Sequence, residues 1–283
     1  MLRRFPRAGA GLFALGTALA CSACGPGPVR EAASRDGDAG AQGLSLERIS
    51  VLTSLPIFWN ESSDIAASLS GDARAHWALA ALDGAAGEVL ALDTLSALEP
   101  GDVGRDVGGG GDVLVLAQPR ALSASENLAL DGWVRAGGAV LLFADPMLDA
   151  HSIFAPGDPR RPQDVALLSP ILARWGLELF FDPGQDPSER LVELPEGALP
   201  VRLSGHFAQV GTGGDPRAGE VRALRENAGR CRIEAQGLLA QCKIGKGQVL
   251  LVADAALFDD PVSDGPARTR LLHGLIARIA PGH

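Results

Sequence analysis

Three short stretches of the chain are apolar with almost no interruption: residues 112–117 (DVLVLA), 139–144 (AVLLFA) and 248–253 (QVLLVA). Runs of this length without polar alternation predict strands of a sheet covered on both faces, as parallel strands are. Between the first two, Ser123 and Glu126 have the spacing of a capping box. Leu128, Leu130, Trp133 and Val134 then give a helix its apolar side, and Gly137 is placed to end it as a left-handed residue. Strand, capped helix and strand within about thirty residues predict a right-handed βαβ crossover.

Weaker signals extend this unit in both directions. Arg48–Ser54 and Glu88–Leu92 read as strands, and Ile65–Leu82 as an Ala-rich helix interrupted at Gly71-Asp72. Asp164–Trp175 reads as a helix kinked at Pro170 and ended by Gly176, followed by a strand over Leu177–Phe181. Residues 182–219 read as loop with short extended pieces at Leu191–Leu194 and Val201–Leu203. A last helix starts at Asp264-Gly265-Pro266 and carries Leu271, Leu272, Leu275, Ile276 and Ile279 at helical spacing. The order predicts one α/β domain over residues 46–283, with a Rossmann- or flavodoxin-like, mostly parallel sheet and an antiparallel hairpin extension.

The hairpin is the alternating segment around Cys231 and Cys242. A two-residue turn at Gln236-Gly237 sets these cysteines directly opposite each other, on a hydrogen-bonded pair whose Cα atoms are normally about 5.5 Å apart. In an oxidising compartment this predicts a disulfide, worth about 2 kcal/mol for so short a loop, rather than two buried thiols.

The N-terminus predicts such a compartment. Arg3, Arg4 and Arg7 precede the uncharged apolar segment Gly9–Ala20, and Ala18-Leu19-Ala20 has the small-x-small form of a cleavage site. About a dozen apolar residues are too few to span a bilayer, which takes roughly 20. Residues 1–20 therefore read as a signal peptide, and 21–45 as a flexible tether rich in Gly, Pro, Ala and Ser. Cys21 follows the cleavage pattern, leaving lipidation there and simple release as alternatives. The expected location is the periplasm, with membrane attachment through the N-terminus alone.

The formal net charge is −9, and only two lysines occur, Lys243 and Lys246. That balance argues against nucleic acid as a partner, since phosphate backbones need clustered Lys and Arg. In an open parallel sheet, ligands sit beyond the carboxyl ends of the strands. Ser54, Trp59, Asn60, Asp145 and Asp254 fall there and are the candidate ligand-binding residues. Two carboxylates at neighbouring strand ends would also suit a hydrolase. Against that stands the ordinary use of Asp to cap turns. The chain has no GxSxG elbow, phosphate-binding GxxxxGK[ST] loop or HExxH pair, and its five histidines are scattered. No metal ligand set, cofactor or catalytic residue is assigned.

The segments GDVLVLAQPRALS (111–123), LDGWVRAGGAVLLFADP (130–146), LARWGLEL (172–179) and IGKGQVLLVADAALF (244–258) resemble a known family. It is the auxiliary component of uncharacterised ABC-type transport systems, related to gliding-motility auxiliary proteins. The resemblance implies a class I glutamine amidotransferase-like domain and ABC-type transporter subunits as partners. Amidotransferases of that fold carry a nucleophilic cysteine on the turn after a central strand. Here the corresponding turn reads Ala144-Asp145-Pro146, without cysteine, which implies a non-catalytic binding or scaffolding component.

Overall fold

A computed structural model describes residues 46–59, 76–98, 112–158, 160–210, 229–259 and 265–281. In chain order the strands are β1 (Leu46–Thr53), β2 (Ala86–Ala91), β3 (Asp112–Ala117), β4 (Ala139–Phe143), β5 (Leu177–Phe181) and β6 (Arg190–Leu194). They continue as β7 (Gly197–Val201), β8 (Gly205–Gln209), β9 (Arg230–Glu234), β10 (Leu239–Ile244) and β11 (Gly247–Val252). The helices are α1 (Trp77–Asp83), α2 (Ala124–Ala136), α3 (Ser169–Trp175) and α4 (Gly265–Ala277). The signal peptide, the tether, Cys21, Asn60, and the stretch of the predicted 65–82 helix before residue 76 lie outside the described residues.

The central sheet has the order β2-β1-β3-β4-β11-β10-β9. Its first five strands are mutually parallel, β10 runs antiparallel to β11, and β9 runs antiparallel to β10. Two, one, three, four and then a fifth parallel strand is the flavodoxin-like order, with the hairpin added at one edge. The three apolar runs are the adjacent strands β3, β4 and β11. Every residue of β3 and β4 is buried, and all of β11 except Gln248. Since successive side chains point to opposite faces, both faces of this centre are covered. The core continues through Ile49, Leu130, Trp175, Leu272 and Ile276, all inaccessible to solvent. Gly43–His283 forms one compact unit.

Helix α2 forms as its caps predict. The Ser123 hydroxyl accepts from the Glu126 amide at 3.2 Å, and the Glu126 carboxylate accepts from the Ser123 amide at 2.9 Å. Glu126 also binds Arg120, Thr94 and the Leu95 amide, so the cap ties the helix to the loop after β2. Gly137 closes the helix at φ 133°, a positive value outside the left-handed helical well.

Five expectations need correction. The helix predicted from Asp164 begins only at Ser169, because Pro170 occupies its first turn, where a missing N–H costs nothing. Strand β5 does not join the main sheet but pairs with β8 in a separate two-stranded sheet. Residues 190–201 form a β6–β7 hairpin where loop with isolated extended pieces is predicted, and Val201 ends β7 rather than opening a strand. The cysteine hairpin turns through four residues, Ala235–Leu238, instead of two. Its register is nevertheless the expected one, with Cys231 opposite Cys242, and the two form a disulfide. Their Cα atoms are 4.0 Å apart, which matches the close non-hydrogen-bonded type of pair and not the wider type. Lengthening the turn by one residue on each side keeps the partners but exchanges the two pair types.

Candidate functional site

The flavodoxin-like order reverses between β1 and β3, so the switch point lies beyond Thr53 and Ala117. Here the chain closes its own crevice. The Ser54 hydroxyl donates to the Gln118 carbonyl and accepts from the Gln163 amide at 2.9 Å. Gln118 is fully buried in a turn with φ 44°. Its side-chain amide donates to the carbonyls of Asp145 (3.0 Å) and Gln163 (2.8 Å), and its Oε1 accepts from the Asp145 amide (2.8 Å). This one side chain stitches the tips of β3 and β4 to the loop that follows β4. The turn after β3 holds Gln118 at positive φ, and neither it nor the Ala144-Asp145-Pro146 turn carries a cysteine.

The two strand-end carboxylates are committed in the same way. Asp145 accepts from the amides of Met147 (2.8 Å) and Ala255 (3.1 Å), one on each oxygen. Asp254 accepts from the amides of Ala256 (2.6 Å) and Arg202 (2.8 Å). Both side chains are 1% exposed. Burial pushes the Asp145 carboxyl up to about 6, with the nearby Asp259 adding to the effect and its two amide donors opposing it. Asp254 is also raised, by burial first and by the charge of Asp145 second.

A cavity of about 350 Å³ opens farther out, between Leu55, Pro56, His76, Asp149, Ala150, His151, Pro162, Arg202, Phe258 and Asp259. Arg202 links it to the buried carboxylates. Its backbone amide holds Asp254, while its guanidinium binds Asp259 and lies 3.6 Å from Asp149. His76 caps α1 through Nδ1, and its Nε2 lies 2.8 Å from the Phe258 carbonyl. The lining offers carboxylate and imidazole groups for a polar ligand. Among the described lining residues none is Ser, Thr, Cys or Lys, although Asp and His, both present, are residue types that also act as nucleophiles. Among the described residues, no group of three or more His, Cys, Asp or Glu side chains is placed to hold a metal ion.

The predicted residues therefore divide. Ser54, Asp145 and Asp254 meet at the strand ends, as internal ties. Trp59 is 40% exposed and lies outside the cavity lining. Gln163, Arg202 and Asp259 escaped the sequence reading, and Gln118, which the sequence places at a strand end, is given no role there. Gln118 left one trace, a long polar residue directly after a buried strand; the other three lie in loops whose course only the tertiary structure sets.

Fold and site define an α/β domain of flavodoxin-like strand order with its switch point sealed. No protein-family model matches the chain, and no curated protein does. Among solved structures it is similar to a cytoplasmic protein from Salmonella typhimurium, at 11% identity and a TM-score of 0.40, covering 83% of this chain and 100% of that one. A putative ThuA-like protein from Bacteroides uniformis matches at 8% identity and a TM-score of 0.39, with 83% and 93% covered. An exo-beta-1,4-mannosidase from Opitutaceae bacterium strain TAV5 matches at 13% and 0.40, over 82% of this chain. The chain spans only 35% of that enzyme's length. No activity carries over at such distances.

Proposed function

We propose that this protein is a non-catalytic, exported component of the cell envelope that binds or scaffolds a partner, beside an ABC-type transport system. One observation carries the non-catalytic part: all four oxygens of Asp145 and Asp254 accept backbone amides in a solvent-excluded position. A general acid or base must reach the proton it moves, and these groups reach only backbone amides of the chain itself. The raised carboxyl of Asp145 is the feature that favours a hydrolase, since catalytic acids are tuned this way. Its burial against two amide donors outweighs that feature.

Export is supported by the signal-like N-terminus and by the Cys231–Cys242 disulfide, a bond that persists in oxidising compartments. The transporter association rests on the resemblance of residues 111–146 and 244–258. Among the described residues no helix is long and apolar enough to cross a membrane.

Affinity purification of the full-length chain from native membranes tests the reading. Co-purification of ABC-type permease or ATPase subunits is the expected result, together with loss of an N-terminal segment ending near Ala20. Recovery of the chain in the cytoplasm with Cys231 and Cys242 reduced would sink it. So would hydrolysis of glycoside or ester substrates that Asp254→Asn abolishes without unfolding the protein.

A further inference from the structure

The edge of the sheet carries a feature that the scaffold reading does not use. Strands β9 and β10 place Arg230 directly opposite Lys243 and Arg232 opposite Gln241, and β11 places Gln248 opposite Lys243. Residues opposite one another share a face, so Arg230, Arg232, Lys243, Gln241 and Gln248 line one cavity of about 330 Å³. Among the described residues every ionisable side chain in that lining is a cation, in a chain with 34 acidic and 25 basic residues and only two lysines.

Among the described residues no carboxylate pairs with Arg230 or Lys243. The one acid beside Arg232 is Glu234, 3.8 Å away, and it is already held by Arg278 at 2.8 Å. The Gln241 amide is likewise turned to Arg278. Charged residues on an edge strand guard against strand-to-strand association, which accounts for Arg230 and Arg232 on β9. It does not account for Lys243, which lies one strand in and faces a like charge, an arrangement that weakens the pairing. The Cys231–Cys242 disulfide cross-links the strands between the two cross-strand pairs and fixes the spacing of the cations.

We infer that this basic cavity binds a small soluble ligand through a phosphate or diphosphate group. Two guanidinium forks and an ammonium supply donors only, and that donor set suits phosphate oxygens. Binding would relieve the repulsion between Arg230 and Lys243.

Inorganic pyrophosphate is the probe. Calorimetric titration of the full chain at fixed ionic strength should give saturable binding, and the thermal midpoint should rise with ligand concentration. The double variant Arg230→Gln/Lys243→Gln should bind at least tenfold more weakly and unfold at no lower temperature than the parent. Lys246→Gln, altered just outside the cavity, should bind as the parent does. Absence of saturable binding, or equal binding by the double variant, overturns the inference. So does sedimentation with phosphatidylglycerol vesicles that pyrophosphate fails to compete, since that assigns the cations to a lipid surface.

Discussion

Asp145 shows how a carboxylate with a raised pKa can be held by backbone amides on both its oxygens. Above pH 6 its carboxyl is ionised in both the native and the unfolded chain, and burial lowers native stability. Between about 6 and the unfolded value near 3.9, the native state takes up the proton first. Stability attributable to this group therefore rises as pH falls through that window, by about 1–3 kcal/mol. Asparagine can offer only one acceptor oxygen, so Asp145→Asn leaves one of the Met147 and Ala255 amides facing a donor, at a cost of about 1–3 kcal/mol. The loss should be larger at pH 5 than at pH 8 in denaturant titrations; equal losses would mean that the group stays ionised throughout. Glu126 behaves oppositely. The Arg120 guanidinium beside it holds its carboxyl well below the usual range, against the effect of burial. Glu126→Gln should cost about 1–2 kcal/mol at pH 7. That difference is present above the unfolded value near 4.3 and disappears as pH falls through the lower native value, which an acid titration of both proteins would show.

At the scale of elements, the cysteine hairpin and the sealed crevice make separate predictions. Alternation in the sequence fixes which residues of β9 and β10 face each other, because a slip by one would expose Ile233, Ala240 and Cys242 together. The turn is free to lengthen symmetrically, and it does. Replacing both cysteines by serine should lower stability by about 2 kcal/mol while leaving the parallel strands protected in hydrogen exchange. The loop after β4 is held at the switch point by Ser54 and Gln118. Ser54→Ala removes an acceptor for the Gln163 amide and a donor to the Gln118 carbonyl, and should cost about 1–3 kcal/mol. Faster hydrogen exchange should appear around residues 160–168 and spare β3, β4 and β11. Unchanged exchange there would show that the loop is held by other contacts.

Across the whole molecule, these titrations oppose one another. Asp145 favours the native state as pH falls below about 6, and Asp254, also raised by burial, acts in the same direction, whereas Glu126 and Asp131 withdraw stability at lower pH. Burial acts to raise the Asp131 carboxyl, but hydrogen bonds and charge from Arg135 and Arg174 more than offset it. Stability should therefore pass through a maximum between about pH 4 and 6 and fall steeply below it. Thermal unfolding across pH 3–8 checks this, and a monotonic rise from pH 4 to pH 8 would contradict the assignment of Asp145 and Asp254. The same molecule divides its polar chemistry between two ends. The strand tips are tied by internal hydrogen bonds, while at the hairpin edge, among the described residues, Arg230 and Lys243 have no acid partner and Arg232 has only Glu234, which Arg278 also holds.

What the sequence alone determined were the features set by local periodicity: the buried strands 112–117, 139–144 and 248–253, the capped helix between the first two, a mostly parallel α/β sheet of Rossmann- or flavodoxin-like class, and Cys231 opposite Cys242. Each follows from the repeat of side chains along a few residues, which burial on one or both faces enforces. Tertiary structure alone decided that β5 leaves the main sheet, that Pro170 starts a helix instead of bending one, and that Ser54, Asp145 and Asp254 are tied to distant backbone groups. The reason is that a carboxylate's role depends on which amides and charges reach it. Gln163 reaches Ser54 from 109 residues away, and Ala255 reaches Asp145 from 110, separations that no local pattern encodes.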